Sequence, residues 1–477
     1  MIKTKIIATL GPSTAQTVTI QALMDEGVDV FRLNFSHGTL EEHQHLLQMI
    51  NRVRSEHPHT AAVMGDLCGP KIRISRIEPE EQQLQTGAEV TIRTADETGN
   101  ARVFGTNYEH FVRDVQVGQR ILIDDGLIAL KVVGKDRNQV TCRVMVGGPL
   151  NSRKGVNLPE TDISVPALTE YDWRCVDWAV EHRLDFLALS FVRSAEEIHQ
   201  LKTHLRQADS EIKVVSKIEK PQAVENLESI VPASDAVLVA RGDLGVEMDL
   251  AEVPLIQKRI TQMCRRLGKP VVVATQMLQS MIQNPTPTRA ETNDVANAIM
   301  DLTDAVMLSG ETAVGKYPLE AIRTIRRIAQ VTETYLDQGE LERPKFSITE
   351  ELALTAAVAR SVGQIIDDID AEMVAVWSQT GSAARLLSKS RIDVPILAFS
   401  SNELTCRQMA LHYGVIPRTR PIPKDIMHFT RMVEKLVLES KWVQVGDQIV
   451  IVAGRPLGAA GTTNAIMVHT VTAAQDG

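Results

Sequence analysis

Eight short apolar runs, most of them dense in β-branched residues, constrain this chain more than any other feature. They are "TKIIATLG" (4–11), "VDVFRLNFS" (28–36), "AAVMGDL" (61–67), "LDFLALSFV" (184–192), "IKVVSKIE" (212–219), "DAVLVARGD" (235–243), "PVVVATQM" (270–277) and "DAVMLSGET" (304–312). Nearly continuous Val, Ile and Leu suits strands buried on both faces, as in a parallel sheet. Helical patterns follow the runs, and eight such units before residue 330 predict a (β/α)8 TIM barrel, with a doubly wound open α/β sheet as the alternative.

Between the third and fourth runs lie about a hundred residues of different texture. "GAEVTIR", "ILIDDGLIALKVV" and "QVTCRVMVGG" alternate or carry β-branched residues, and Asp125-Gly126 reads as a hairpin turn. This predicts an all-β insert leaving the barrel near Pro70 and returning near Pro166, placed to act as a lid over the active face. After "LERPKF" a third region shows its own αβ alternation. The expected organisation is a barrel of 1–69 and 167–342, a lid of 70–166 and a C-terminal α/β regulatory domain of 343–477.

Composition narrows the class. Acids outnumber Lys plus Arg by 60 to 51, a net charge of −9, and only 4% of residues are aromatic. That balance disfavours nucleic acid and anionic lipid as partners of the whole chain while allowing a local basic pocket. Five scattered cysteines without a C-x-x-C point to a reducing compartment and no structural zinc. With no signal-like leader and no apolar stretch long enough to span a bilayer, a cytoplasmic protein is expected. His43/His45 and His57/His59 have alternate spacing, but they lie in a polar helix and its exit loop and are not read as a metal site.

Chemistry in such a barrel gathers where strands end, and here those ends are polar. The second run supplies Arg32, Asn34 and Ser36, with His37 beyond; the third supplies Asp66. The fifth gives Lys217 and Glu219, the sixth Arg241 and Asp243, the seventh Thr275 and Gln276, and the eighth Ser309 and Glu311. Two carboxylates from adjacent strands suit Mg²⁺, which takes oxygen ligands and keeps substrate oxygens or waters. Arg32 and Arg73 suit phosphate or carboxylate, and a lysine beside the metal suits a phosphoryl group in flight.

The motifs "LNFSHG", "KGVNLP", "SKIE", "ARGDLG", "ATQML", "NPTPTRAE" with "DVANA", and "MLSGETA" occur in this order over nearly the whole chain, which resembles the pyruvate kinase family. The resemblance implies transfer of a phosphoryl group from phosphoenolpyruvate to ADP, giving pyruvate and ATP. It implies Lys217 as the transition-state lysine, Glu219 and Asp243 as ligands of Mg²⁺ or Mn²⁺, and Arg32 on the transferring group. The backbone of Ala240, Arg241 and Gly242 would line the pyruvate pocket, and Thr275 would lie where the enolate gains its proton. Arg73, Lys154, Asn34 and His37 would serve the nucleotide. The family is usually a homotetramer.

Many members also need K⁺. Asn34, Ser36 and Asp66 match their monovalent-cation ligands, with a backbone carbonyl from the next residue, here Leu67. That residue is usually threonine, and the position of Lys71 is usually glutamate; Cys68 also departs from the usual lysine or glutamine. A unit charge about 4 Å from a phosphoryl oxygen is worth roughly 4 kcal/mol at an effective dielectric near 20, or about a thousandfold in rate. Lys71 is therefore expected to supply covalently the charge that K⁺ supplies elsewhere, making potassium unnecessary; a solvated lysine on the lid hinge is the alternative.

"SQTGSAARLLSKSR" (378–391) follows an apolar strand and opens a helix, and "AGRPLGAAGTTN" (453–464) is a glycine-rich loop. Both look like the family's effector site, with Ser378, Thr380, Gly381, Ser382 and Arg385 facing a sugar phosphate or AMP. Sugar-bisphosphate-responsive members carry more hydroxyls where Ala383 and Ala384 stand. Two other functions fit parts of the pattern: a Mg²⁺-dependent barrel lyase acting through an enolate, and a non-catalytic sugar-phosphate sensor.

Overall fold

In the structure, a computed structural model describing residues 2–339, 344–459, 461 and 463–472, the eight runs form eight parallel strands. β1 (Lys5–Thr9), β2 (Val30–Asn34), β3 (Ala62–Asp66), β4 (Phe186–Leu189), β5 (Lys213–Ile218), β6 (Ala236–Ala240), β7 (Val271–Ala274) and β8 (Ala305–Leu308) follow one another around a closed barrel. Closure comes from β1 pairing with β8, Lys5 opposite Ala305, which excludes the open sheet.

The absence of alternation in the runs has a direct cause. Ile7, Val30, Met64, Val215, Leu238, Val272 and Met307 fill the barrel interior. Their neighbours Ile6, Phe31, Val63, Val214, Val237, Val273 and Val306 pack under the surrounding helices. Both faces are dry, so both sets are apolar. Three of those helices begin with full capping boxes, at Thr39, Thr169 and Thr288, which satisfy amides their first turns leave open.

An aspartate precedes each even-numbered strand, and its carboxylate accepts an amide near the start of the strand before it. Asp29 accepts from Ile6 at 2.9 Å, Asp185 from Val63 at 2.7 Å, Asp235 from Val214 at 2.8 Å and Asp304 from Val271 at 2.7 Å. This fourfold device ties the barrel strands in pairs at their N-terminal ends.

The segment between β3 and β4 folds into a six-stranded sheet with a two-stranded companion, around a core of its own that includes Phe104, Phe111 and Ile121. It is not purely β: a helical turn spans Phe111–Asp114. The expected hairpin joins Arg120–Ile123 to Ile128–Lys135, but through four residues, with Asp124, Asp125 and Gly126 all at positive φ.

The C-terminal region forms a five-stranded sheet, parallel except for Thr463–Thr470. It docks on the barrel's N-terminal end, where Lys389 pairs with Asp304 at 2.7 Å, Arg407 pairs with Asp185 at 2.7 Å, and Leu411 joins the barrel's interior cluster. The expected boundary at 342/343 lies outside the described residues, as does the chain's end from 473. Among the described residues no helix is long and apolar enough to cross a membrane.

Candidate active site

At the other end of the barrel, register decides which strand-end residues meet. Thr9 lies opposite Arg32, and Asn34 opposite Asp66. Arg32 Nε stands 2.6 Å from Asp66 Oδ2, and its Nη1 donates to Thr9 Oγ1 at 3.0 Å. Lys217 Nζ lies 3.3 Å from Asp66 Oδ1 and 2.8 Å from Glu219 Oε1, and donates to Ser190 Oγ at 2.7 Å. The other Glu219 oxygen accepts the amide of Phe191 at 2.6 Å. Charge thus alternates along a buried row, Arg32, Asp66, Lys217, Glu219.

Electrostatics follow from that row. Burial by itself would raise Asp66, but Lys217 and then Arg32 outweigh it and hold the carboxyl below its ordinary range. Burial would lower Lys217, yet Asp66 and Glu219 hold it above the usual lysine value, so it stays charged. Asp243 differs. It forms no ion pair among the described residues, and burial, then the Glu219 carboxylate, push it up to about 7. An acid raised beside a second carboxylate in this way marks a place prepared for a cation.

Thr275 sits just past β7 with φ of +68°, followed by Gln276 at +55°. A β-branched residue in that region costs on the order of 1–3 kcal/mol, a strain found where geometry serves function. The hydroxyl accepts the Gly242 amide at 2.7 Å and donates to the Ala274 carbonyl at 2.6 Å. Arg241 explains how the turn is held: its Nη2 donates to Thr275 O at 2.8 Å and its Nη1 pairs with Asp294 at 2.7 Å. The Arg241 side chain therefore fastens the turn. Ala240, the last residue of β6, is buried.

A cleft of about 820 Å³ lies between the β-rich insert and the barrel rim, lined by Lys71, Arg73, Asn157, Phe191, Lys220 and Asp243 among others. Arg73 is held there by a bridge to Gly155 and a bond from its Nη1 to Arg153 O at 2.7 Å. Lys154 departs from expectation: it pairs with Asp124 at 3.0 Å and does not line the cleft. His37 lies close by, and burial followed by Lys71, Arg32 and Arg73 lowers it below its usual value.

The groups that match a monovalent-cation site are already engaged. Asp66 is held by Arg32 and Lys217, the Leu67 carbonyl accepts Ser190 Oγ at 2.7 Å, and Asn34 Oδ1 accepts the Ser36 amide at 3.2 Å. Burial raises the Cys68 thiol above its ordinary value, and the neighbouring Ser36 side chain works against that rise. Lys71 forms no ion pair among the described residues. Burial pushes its ammonium below the ordinary lysine value, and Cys68, Arg73, Lys217 and Asp66 are the charged or titratable groups it senses.

Ser190 and Thr9 belong to this network without having been singled out from the sequence. The available signal was the rule used for the other strands, since each is the first polar residue closing an apolar run. In the C-terminal region Ser378, Thr380 and Ser382 meet Gly454, Gly458 and Thr463 around a pocket of about 370 Å³, and Gly381 takes φ of +79°. Ala460 and Thr462 of the glycine-rich loop lie outside the described residues. Arg385 does not face this pocket; its guanidinium bonds Gly268 O on the barrel.

Fold and rim together define a (β/α)8-barrel protein with a cation-flanked acidic site under an inserted domain. Residues 1–322 match the family model for the pyruvate kinase barrel domain, and 356–469 that for the pyruvate kinase alpha/beta domain. A pyruvate kinase of Mycobacterium intracellulare is 41% identical, covering 98% of each chain. One of Corynebacterium glutamicum is 40% identical, covering 98% of this chain and 97% of the relative. The crystal structure of a pyruvate kinase from Cryptosporidium parvum superposes with a TM-score of 0.92 at 32% identity, covering 98% of this chain and 96% of that one. The chain belongs to the pyruvate kinase family, and is accordingly a glycolytic phosphotransferase.

Proposed function

We propose that the chain moves the phosphoryl group of phosphoenolpyruvate to ADP at the rim formed by β2, β3, β5, β6 and β7, with Lys71 as a built-in monovalent cation. The observation that carries this reading is the placement of Lys217 between two buried carboxylates, one of them beside the raised, unpaired Asp243.

Glu219 and Asp243 would hold Mg²⁺ or Mn²⁺; two oxygen donors with room for substrate oxygens and water suit an octahedral ion. When bound, the metal supplies positive charge where the substrate's oxygens gain negative charge. The chain's own groups do the rest. Arg32 and Lys217 receive the phosphoryl oxygens, and Lys217 stays charged throughout because Asp66 and Glu219 favour its protonated form. As the ester P–O bond breaks and the ADP oxygen takes the phosphorus, the enolate left behind takes a proton at carbon on the face of Thr275. The hydroxyl there is oriented by Gly242 and Ala274. Arg73 and His37 lie at the nucleotide end of the cleft. The pocket at Ser378, Thr380 and Ser382 is read as the place for a phosphorylated effector, a sugar phosphate or AMP, and the working assembly as a homotetramer.

The potassium reading is supported by Lys71 lining the cleft within electrostatic reach of Asp66 and Lys217, and by Asp66 and Leu67 O already being engaged. Its test is ATP formation from ADP and phosphoenolpyruvate with Mg²⁺, first in rigorously potassium-free buffer and then with K⁺ restored. Comparable rates support Lys71 as the internal cation. A large rescue by K⁺ leaves the kinase and makes Lys71 a hinge residue.

A further inference from the structure

We propose that a second anion site, for a small phosphate monoester, lies at the joint between the barrel's N-terminal end and the C-terminal region. A cavity of about 610 Å³ opens there. Lys213 at the start of β5, Asp235 before β6 and Lys269 before β7 form one wall; Arg385 and His412 belong to the other. It is distinct from the pocket beside the glycine-rich loop, with which it shares only Thr380 and Ser382 at its mouth.

The charges do not balance without a guest. Lys213, Lys269 and Arg385 form no ion pair among the described residues. Asp235 is the one acid lining the cavity, and it is already committed to Lys202 at 2.9 Å and to the Val214 amide at 2.8 Å. Lys269 donates to the carbonyls of Pro232 and Ser234, and Arg385 to that of Gly268, so each keeps further donors. The imidazole of His412 is 91% buried, and its Nδ1 has no hydrogen-bond partner.

Burial first and Arg385 second push Lys269 down to about 8 and His412 down to about 3, and the carboxylates of Asp235 and Asp304, which act the other way on Lys269 and His412, do not offset them. A phosphate dianion satisfies the donors and the charge together. Phe186 and Leu411 supply an apolar surface beside those donors, which suits an ester with a compact apolar body better than the inorganic ion. The occupant would rest on the roots of β5, β6 and β7, the three strands whose far ends carry Lys217 and Glu219, Asp243 and Thr275.

Phenyl phosphate is the probe, titrated calorimetrically into the full chain. The wild-type chain should bind it. Lys213→Met and Lys269→Met should each weaken that binding tenfold or more, and Arg73→Met, which strips a cation from the lid cleft, should leave it intact. No side-chain bond or ion pair holds the Lys213 ammonium among the described residues, so Lys213→Met should melt like wild type without the probe and lose the probe's thermal stabilisation. No heat at millimolar phenyl phosphate, equal affinity in both lysine variants, or binding abolished by Arg73→Met would each overturn the site. None of these outcomes bears on whether the lid cleft turns over phosphoenolpyruvate, because that is read by ATP formation.

Discussion

At the barrel's N-terminal end Asp29, Asp185, Asp235 and Asp304 each hold a strand amide and at least one cation: Lys5 on Asp29, Arg407 and Arg54 on Asp185, Lys202 on Asp235, Lys389 and Arg391 on Asp304. At the C-terminal end Asp66 is held by Arg32 and Lys217, Glu219 has only a share of that same lysine, and Asp243 has no ion-pair partner among the described residues. Both sets sit at the strand ends of one barrel, yet only the first is saturated throughout. A buried carboxylate with its amide and its cation in place is finished structure. One left short of positive charge is a standing demand for a cation from outside the chain.

The difference is broken most severely at Lys217. Lys217→Met should lower kcat about a thousandfold, since a unit charge near the phosphoryl group is worth about 4 kcal/mol; steady-state kinetics at saturating substrates measure it. Asp304→Asn attacks the saturated end. It should cost about 3 kcal/mol in urea unfolding, because Lys389 is left buried without its partner, while kcat stays nearly unchanged. A large kcat loss there would abolish the division between the two ends.

Asp243→Asn sharpens the contrast, because it should harm metal binding and help folding. The carboxyl is raised to about 7 when folded, above its value of about 3.9 when unfolded, so its contribution falls as pH rises between the two. In chelator, urea unfolding of the parent chain should lose about 2 kcal/mol from pH 5 to pH 7.5, a slope that Asp243→Asn removes. A slope unchanged in the variant would place the titration elsewhere. The smallest effect belongs to Asp235→Asn, whose cation Lys202 is partly exposed: about 1 kcal/mol lost, with a melting shift of a few degrees and no change in kcat.

Much of this was legible in the residues. The eight runs are readable because both faces of each strand are dry, and the site is readable because polar residues close those runs. Ser190 obeys the same rule, since "LALS" closes its run as the others do. Direction was not legible. Arg241 turns to Asp294, Lys154 to Asp124 and Arg385 to Gly268, each partner 30 or more positions away in sequence. An arginine in a motif carries its charge in the sequence, but where the guanidinium goes depends on which acceptors the fold brings within reach.

By itself the sequence determined the barrel, the inserted β-rich domain and the inventory of acids and cations at the strand ends, since strand burial and strand termination are local properties of composition. Only the tertiary structure decided which of those acids are neutralised. It set Asp66 between Arg32 and Lys217, left Asp243 facing Glu219, and closed three cations around the cavity at the joint. Charge balance is a sum over neighbours in space, and the strands, lid and C-terminal region that supply those neighbours are far apart along the chain.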